Sequence, residues 1–173
     1  HETRHPASLT KKMTLYLVFE ALQSGKISLQ TRFPVSLLAT RQEPCRLGLR
    51  FGESISVESI IKAMVTKSAN DASVVIAEGL AGSVAKFVQL MNKKAKQLGM
   101  YSTQFFNPTG LPDRRQITTA MDMSILAQAL YQDFPQYYHY FKTKTFNYLG
   151  TSHRNHNHML GKVKGLDGIK TGF

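Results

Sequence analysis

The segment "SVESIIKAMVTKSANDASVVIAEG" constrains the fold more than any other part of the chain. Val57, Ile60, Ile61, Met64 and Val65 recur at i, i+3, i+4, i+7 and i+8, which predicts one apolar helix face starting after Ser56 as N-cap. The stripe breaks at "TKSANDAS", and Ala72, Val75 and Ile76 begin a second apolar helix that Gly79 is expected to close. Two buried helices in tandem must be covered by other elements. Ser68, Ala69 and Asn70 are thereby expected at a junction held between them.

The rest of the chain supplies that cover. Pro6 suits a first helical turn, and Leu9, Met13, Tyr16, Leu17 and Glu20 follow at helical spacing until Gly25. Residues 26–55 are turn-rich, with a short strand expected at "FPVSLLA". A further helix is predicted from Ser83, as N-cap, to Leu98, with Phe87, Leu90, Met91 and Leu98 inward and Gly99 as its stop. "FFNPTGLPD" reads as a loop by its Asn-Pro, Gly and Pro content. Thr119, with Asp122 three residues later, opens a helix whose Met123, Leu126, Ala127 and Leu130 face the core. An aromatic segment, "FPQYYHYF", follows. Beyond Thr143 the pattern turns to extended chain in "KTFNYL", a polar hairpin-like "GTSHRNHNHML" and "LDGIKTGF".

A chain of 173 residues with 42% hydrophobic content reads as one globular domain rather than a disordered segment. The net charge of +11 is spread from Arg4 to Lys170 instead of gathered on a recognisable motif, so no nucleic-acid partner is expected, only attraction to anionic surroundings. Cys45 is the single cysteine, which excludes an intramolecular disulfide. No run reaches the roughly 18 to 20 apolar residues of a membrane span, and there is no signal-peptide pattern, so export implies a processed chain. His153, His156 and His158 lie in a polar turn without a carboxylate or cysteine to complete a ligand set. Neither a metal nor another cofactor is expected.

Ser8 and Lys11 stand three residues apart at the start of the first helix, on one face and at its positive end. A serine needs a base within hydrogen-bond reach to act as a nucleophile. No Gly-x-Ser-x-Gly elbow accompanies the histidines, so a lysine is the better base. Keeping Lys11 neutral requires burial or a second cation, for which Lys170 is suited. The spacing alone decides little, because it recurs at Ser59 and Lys62 and at Ser83 and Lys86, where a helix-start serine with a solvated lysine explains it.

Taken together, Ser8-Leu9-Thr10-Lys11, Ser68-Ala69-Asn70 and Lys170-Thr171-Gly172 resemble in kind, order and separation the three signatures of serine penicillin-binding proteins and class A β-lactamases. The flanking "PASLTKKMT", "KSANDAS", "LGMYSTQFFNPTGLPD" and "HNHMLGKVKGLDGIKTGF" are similar to the low-molecular-mass D-alanyl-D-alanine carboxypeptidases, over nearly the whole chain. The resemblance implies an α+β fold of the β-lactamase/DD-peptidase transpeptidase type. Residues 1–173 would form one catalytic domain holding mainly the helical part and the K-T-G strand. The sheet is expected to be truncated at both ends and completed by another polypeptide segment.

The same resemblance implies that Ser8 attacks the penultimate D-alanine carbonyl of a peptidoglycan stem peptide, with Lys11 taking its proton and Ser68 relaying protons. Asn70 would bind the substrate amide and help place Lys11, Lys170 would supply positive charge, Thr171 would bind the terminal carboxylate and Gly172 would leave the strand edge open. The N–H groups of Ser8 and Phe173 would form the oxyanion hole. β-Lactams would acylate Ser8. "FFNPTGLPDRRQ" lacks the glutamate by which class A β-lactamases deacylate, so deacylation is expected to be slow. The implied setting is the cell envelope, periplasmic or extracytoplasmic, with membrane association through a segment absent from this chain. The alternatives are DD-endopeptidase or β-lactamase activity at the same site, and a non-catalytic basic binding module or inactive fragment.

Overall fold

The helix that carries Lys11 lies at the centre of the molecule. In the computed structural model, which describes residues 6–158, 160 and 162, α1 (Lys11–Gln23) has eleven of its thirteen residues buried, from Lys11 to Leu22 with only Glu20 excepted. A helix covered all round belongs in the core rather than on its surface. α1 packs against α4 (Asn70–Ala81), α5 (Val84–Leu98) and α6 (Ala120–Asp133). Phe19 is fully buried among Phe134, Tyr137 and Phe141, with ring centroids 5.4–6.1 Å apart. The aromatic segment therefore closes one side of the core, each buried ring contributing about 1.5–3 kcal/mol.

Two small antiparallel sheets flank the helices. β1 (Arg32–Pro34) pairs with β2 (Ser54–Ser56), and β3 (Thr145–Tyr148) pairs with β4 (Thr151–Arg154). The expected strand at "FPVSLLA" is real only at its start. After Pro34 the chain turns into the one-turn α2 (Leu37–Thr40), because Ser36 caps it by accepting the Ala39 N–H at 3.1 Å. The second hairpin turns earlier than the sequence pattern placed it, at Leu149 and Gly150, whose φ values of 46° and 80° have the signs that a two-residue type I′ turn requires. His153 is consequently a strand residue opposite Phe146.

The tandem helices form as expected. α3 (Val57–Lys67) begins at Ser56, whose hydroxyl accepts the Ser59 N–H at 3.2 Å. α4 follows after only Ser68 and Ala69. Gly79 does not close α4. It lies inside the helix, which runs on to Ala81 with Gly82 in the left-handed C-cap, because the Phe33 ring occupies the space a Cβ at Gly79 would need. Ser83 and Thr119 cap α5 and α6 as the sequence indicates, accepting the N–H of Lys86 and Asp122. Ser59 and Lys62 are likewise explained locally, since Lys62 pairs with Glu58 one turn earlier at 2.9 Å. Leu90 is 40% exposed rather than inward, and Ala95 takes that place beside Phe87 and Met91. Among the described residues no single helix is long and apolar enough to cross a membrane.

Candidate active site

The first two motifs meet through one buried amine. Lys11 is fully buried, and its Nζ donates to Asn70 Oδ1 at 2.7 Å and to the Thr109 carbonyl at 2.6 Å. Asn70 is fixed from three sides, since its Nδ2 also donates to the Glu43 carbonyl at 2.9 Å and its backbone N–H to the Cys45 carbonyl at 2.8 Å. The amide is thus oriented with its oxygen toward the amine. Burial, one of the two conditions set for a lysine base, is met by the first turn of α1 together with the Pro108–Thr109 loop, which also accepts the Thr14 hydroxyl at 2.9 Å.

Ser8 is half-buried in a 3-10 turn (Ala7–Thr10) that runs straight into α1, so Ser8 and Lys11 stay one turn apart. Ser68 and Asn70 line with Ser8 a cleft of about 320 Å3 whose other wall includes Cys45, Thr109 and Gly110. Ser68 terminates α3 in the left-handed region, at φ 59° and ψ 39°, and only 2% of it is exposed. Its Oγ has no hydrogen-bond partner among the described residues. A strained serine with an orphaned hydroxyl costs about 1–3 kcal/mol on each count, a combination that clusters where chemistry is done. Beside it, the His156 N–H donates to the Thr66 carbonyl at 2.9 Å, which brings the chain after β4 to the end of α3.

Asp71, which the sequence did not single out, holds the far side of the cleft. It is fully buried, and its carboxylate accepts the N–H groups of Leu47, Gly48 and Leu49 at 2.9–3.0 Å. That anchors the loop whose Glu43 and Cys45 carbonyls hold Asn70. The loop on the other side is built by Asn107, whose Oδ1 accepts the Gly110 N–H at 2.7 Å, and by buried Gln116, whose Oε1 accepts the N–H groups of Phe106 and Asn107. Neither backbone carbonyl set has a side-chain signature, and the one signal available was "NPTG" itself.

Gly110 approaches the turn that carries Ser8 so closely that a Cβ there would overlap the Ala7 carbonyl, and its φ is +85°. Ala7 is itself left-handed at φ 46°. Gly110→Ala is therefore expected to push Ala7 and Ser8 out of place, costing about 2 kcal/mol in urea unfolding. Urea unfolding and thermal melts of the variant check it.

A second buried amine lies beside the first. Lys12 is 8% exposed, and burial pushes its ammonium down to about 8. The unfolded chain keeps that proton up to about 10.5, so the folded state is penalised at neutral pH and stability should rise as pH climbs from about 8 to 10.5. Lys12→Met is expected to be more stable than the parent by about 2 kcal/mol or more at pH 7, the gap closing toward pH 10. Urea unfolding at both pH values reads it directly.

Lys170, Thr171, Gly172 and Phe173 lie outside the described residues. Of the histidines considered for a metal, His153 is on β4 while His156 and His158 follow it in the turn.

A family model described as D-alanyl-D-alanine carboxypeptidase matches residues 1–173. The chain is 37% identical to the D-alanyl-D-alanine carboxypeptidase DacF of Bacillus subtilis, over 100% of this chain and 46% of that protein. It superposes on penicillin-binding protein 5 of Haemophilus influenzae with a TM-score of 0.94 at 34% identity, covering 99% of this chain and 51% of that one. The ampicillin-bound form of penicillin-binding protein D2 from Listeria monocytogenes matches with a TM-score of 0.82 at 32% identity, over 99% and 70% of the two chains. The chain spans about half the length of the curated relatives it matches. These likenesses bear out the transpeptidase-type α+β fold implied by the motifs; the described residues hold its helices and two small sheets.

Proposed function

Because the chain belongs to the D-alanyl-D-alanine carboxypeptidase family, Peptidase S11, we propose that it carries the nucleophile half of a serine carboxypeptidase that removes the terminal D-alanine from peptidoglycan stem peptides. The observation that carries the reading is the Lys11 amine, buried one turn from Ser8 and held by Asn70 Oδ1 and the Thr109 carbonyl. A base offers the serine proton a lone pair, which a lysine amine carries only in its neutral form. In that form Lys11 takes the Ser8 proton as the Ser8 Oγ bonds to the carbonyl carbon of the penultimate D-alanine. Collapse of the tetrahedral intermediate breaks the C–N bond. The leaving D-alanine amine takes a proton delivered through Ser68, whose hydroxyl is unpartnered among the described residues. Water then releases the acyl group from Ser8.

Asn70 positions Lys11 and offers its amide to the substrate. Lys170 supplies positive charge, Thr171 binds the terminal carboxylate, Gly172 leaves the strand edge open, and the N–H groups of Ser8 and Phe173 receive the oxyanion; these assignments rest on the motif alone. β-Lactams acylate Ser8 by the same attack. Slow release of that adduct is supported by the loop after Phe106, where Asp113 is engaged by Arg115 through two side-chain bonds of 2.7 and 3.0 Å and no glutamate is present. The pairing holds the Asp113 carboxyl at about 2. The setting we propose is the bacterial cell envelope.

The test is release of D-alanine from diacetyl-L-Lys-D-Ala-D-Ala, compared with turnover of nitrocefin. Release that Ser8→Ala abolishes, with no sustained nitrocefin hydrolysis, supports a carboxypeptidase. Rapid nitrocefin turnover would instead make the protein a β-lactamase.

A further inference from the structure

Beyond the Ala7–Gly110 contact lies a second groove, of about 470 Å3, that shares Ala7, Gly110, Leu111 and Pro112 with the cleft containing Ser8. Pro6, Leu111 and Pro112 give it apolar walls, and Arg114 lies on its rim. The charges around it do not cancel. Asp113 is taken by Arg115, whose guanidinium in turn lies 4.3 Å from the Phe106 ring centroid. Arg114 makes no hydrogen bond or ion pair among the described residues, so the groove keeps one uncompensated, exposed guanidinium. Its planar donor fork matches a carboxylate in two-point geometry.

We infer that this groove is a specificity site in which Arg114 binds a side-chain carboxylate carried by the peptide just upstream of the two terminal D-alanines. The inference rests on the carboxypeptidase reading, because it takes Ser8 as the point from which the substrate extends. A chain leaving the Ser8 cleft across the shared Leu111–Pro112 wall enters this groove directly. The apolar walls take up the aliphatic stem of the side chain, and the cation at the rim receives its charged end. Arg114 acts in binding, not in bond making.

The test uses two peptides that differ only in charge, acetyl-L-Glu-D-Ala-D-Ala and acetyl-L-Gln-D-Ala-D-Ala, assayed by D-alanine release with the parent protein, Arg114→Ala and Arg114→Lys. The parent should prefer the Glu peptide in kcat/KM, mainly through KM. Arg114→Ala should lower the Glu-to-Gln ratio about fivefold, and Arg114→Lys, which keeps the charge but loses the fork, should fall between the two. A purely structural role for Arg114 would lower both peptides equally and leave the ratio alone, which would overturn the inference. So would a parent protein indifferent to the charge. If the parent releases D-alanine from neither peptide and benzylpenicillin does not label Ser8, the carboxypeptidase reading itself fails and this inference with it.

Discussion

Lys11→Met is expected to slow acylation of Ser8 by benzylpenicillin by about a thousandfold, within the range for loss of a positioned general base. The substitution keeps the length and most of the volume of the side chain in a site where Lys11 is fully buried. It removes the donor to Asn70 Oδ1 and to the Thr109 carbonyl, so both acceptors are left without it inside the protein. Some stability is lost for that reason, about 1–3 kcal/mol. Stopped-flow acylation kinetics and thermal melts on the same sample separate the effects. A variant that melts within a few degrees of the parent and still acylates at the parent's rate would remove Lys11 from the chemistry.

The largest effect on stability is expected from Asp71→Ala. Three backbone N–H groups of the Leu47–Leu49 segment converge on this carboxylate, and its Oδ1 also accepts the Ala72 N–H at 2.9 Å. Hydrogen bonds to a charged acceptor are stronger than neutral ones, and these donors sit against the buried start of α4. A loss of about 3–5 kcal/mol follows, or roughly 6–20 °C in Tm for a chain of this length. The damage reaches the site, because the same loop carries the Glu43 and Cys45 carbonyls that orient Asn70. Asp71→Asn keeps the shape but accepts through only one oxygen, so it should fall between the parent and Asp71→Ala. Calorimetry of the three proteins orders them.

What the sequence made legible was the part written in side chains. The apolar stripe from Val57 to Val65 and its Ser56 cap appear as read, and so does the break at Ser68 to Asn70, because periodicity and capping are local. The pairing of Lys11 with Asn70 could be anticipated only through the family resemblance, since 59 positions separate them. Thr109, Glu43 and Cys45 contribute carbonyl oxygens, which every residue has, so nothing in the letters marks them. Gly79 misled because a glycine near a helix end resembles a stop, whereas here it makes room for the Phe33 ring on another element. Leu90 misled for the opposite reason. It falls at helical spacing from Phe87 but the packing of α5 turns it outward, into a surface depression with Lys93 and Gln97. In each case tertiary contact overrode a local pattern.

The proposed carboxypeptidase function stands or falls on Ser8 as a nucleophile served by Lys11. The most direct measurement is the intact mass of the protein after incubation with benzylpenicillin, followed by peptide mapping of the adduct, alongside Ser8→Ala. One stable penicilloyl group is expected, located on Ser8 and absent from Ser8→Ala. An unlabelled parent protein, or an adduct that persists in Ser8→Ala on another residue, would contradict it.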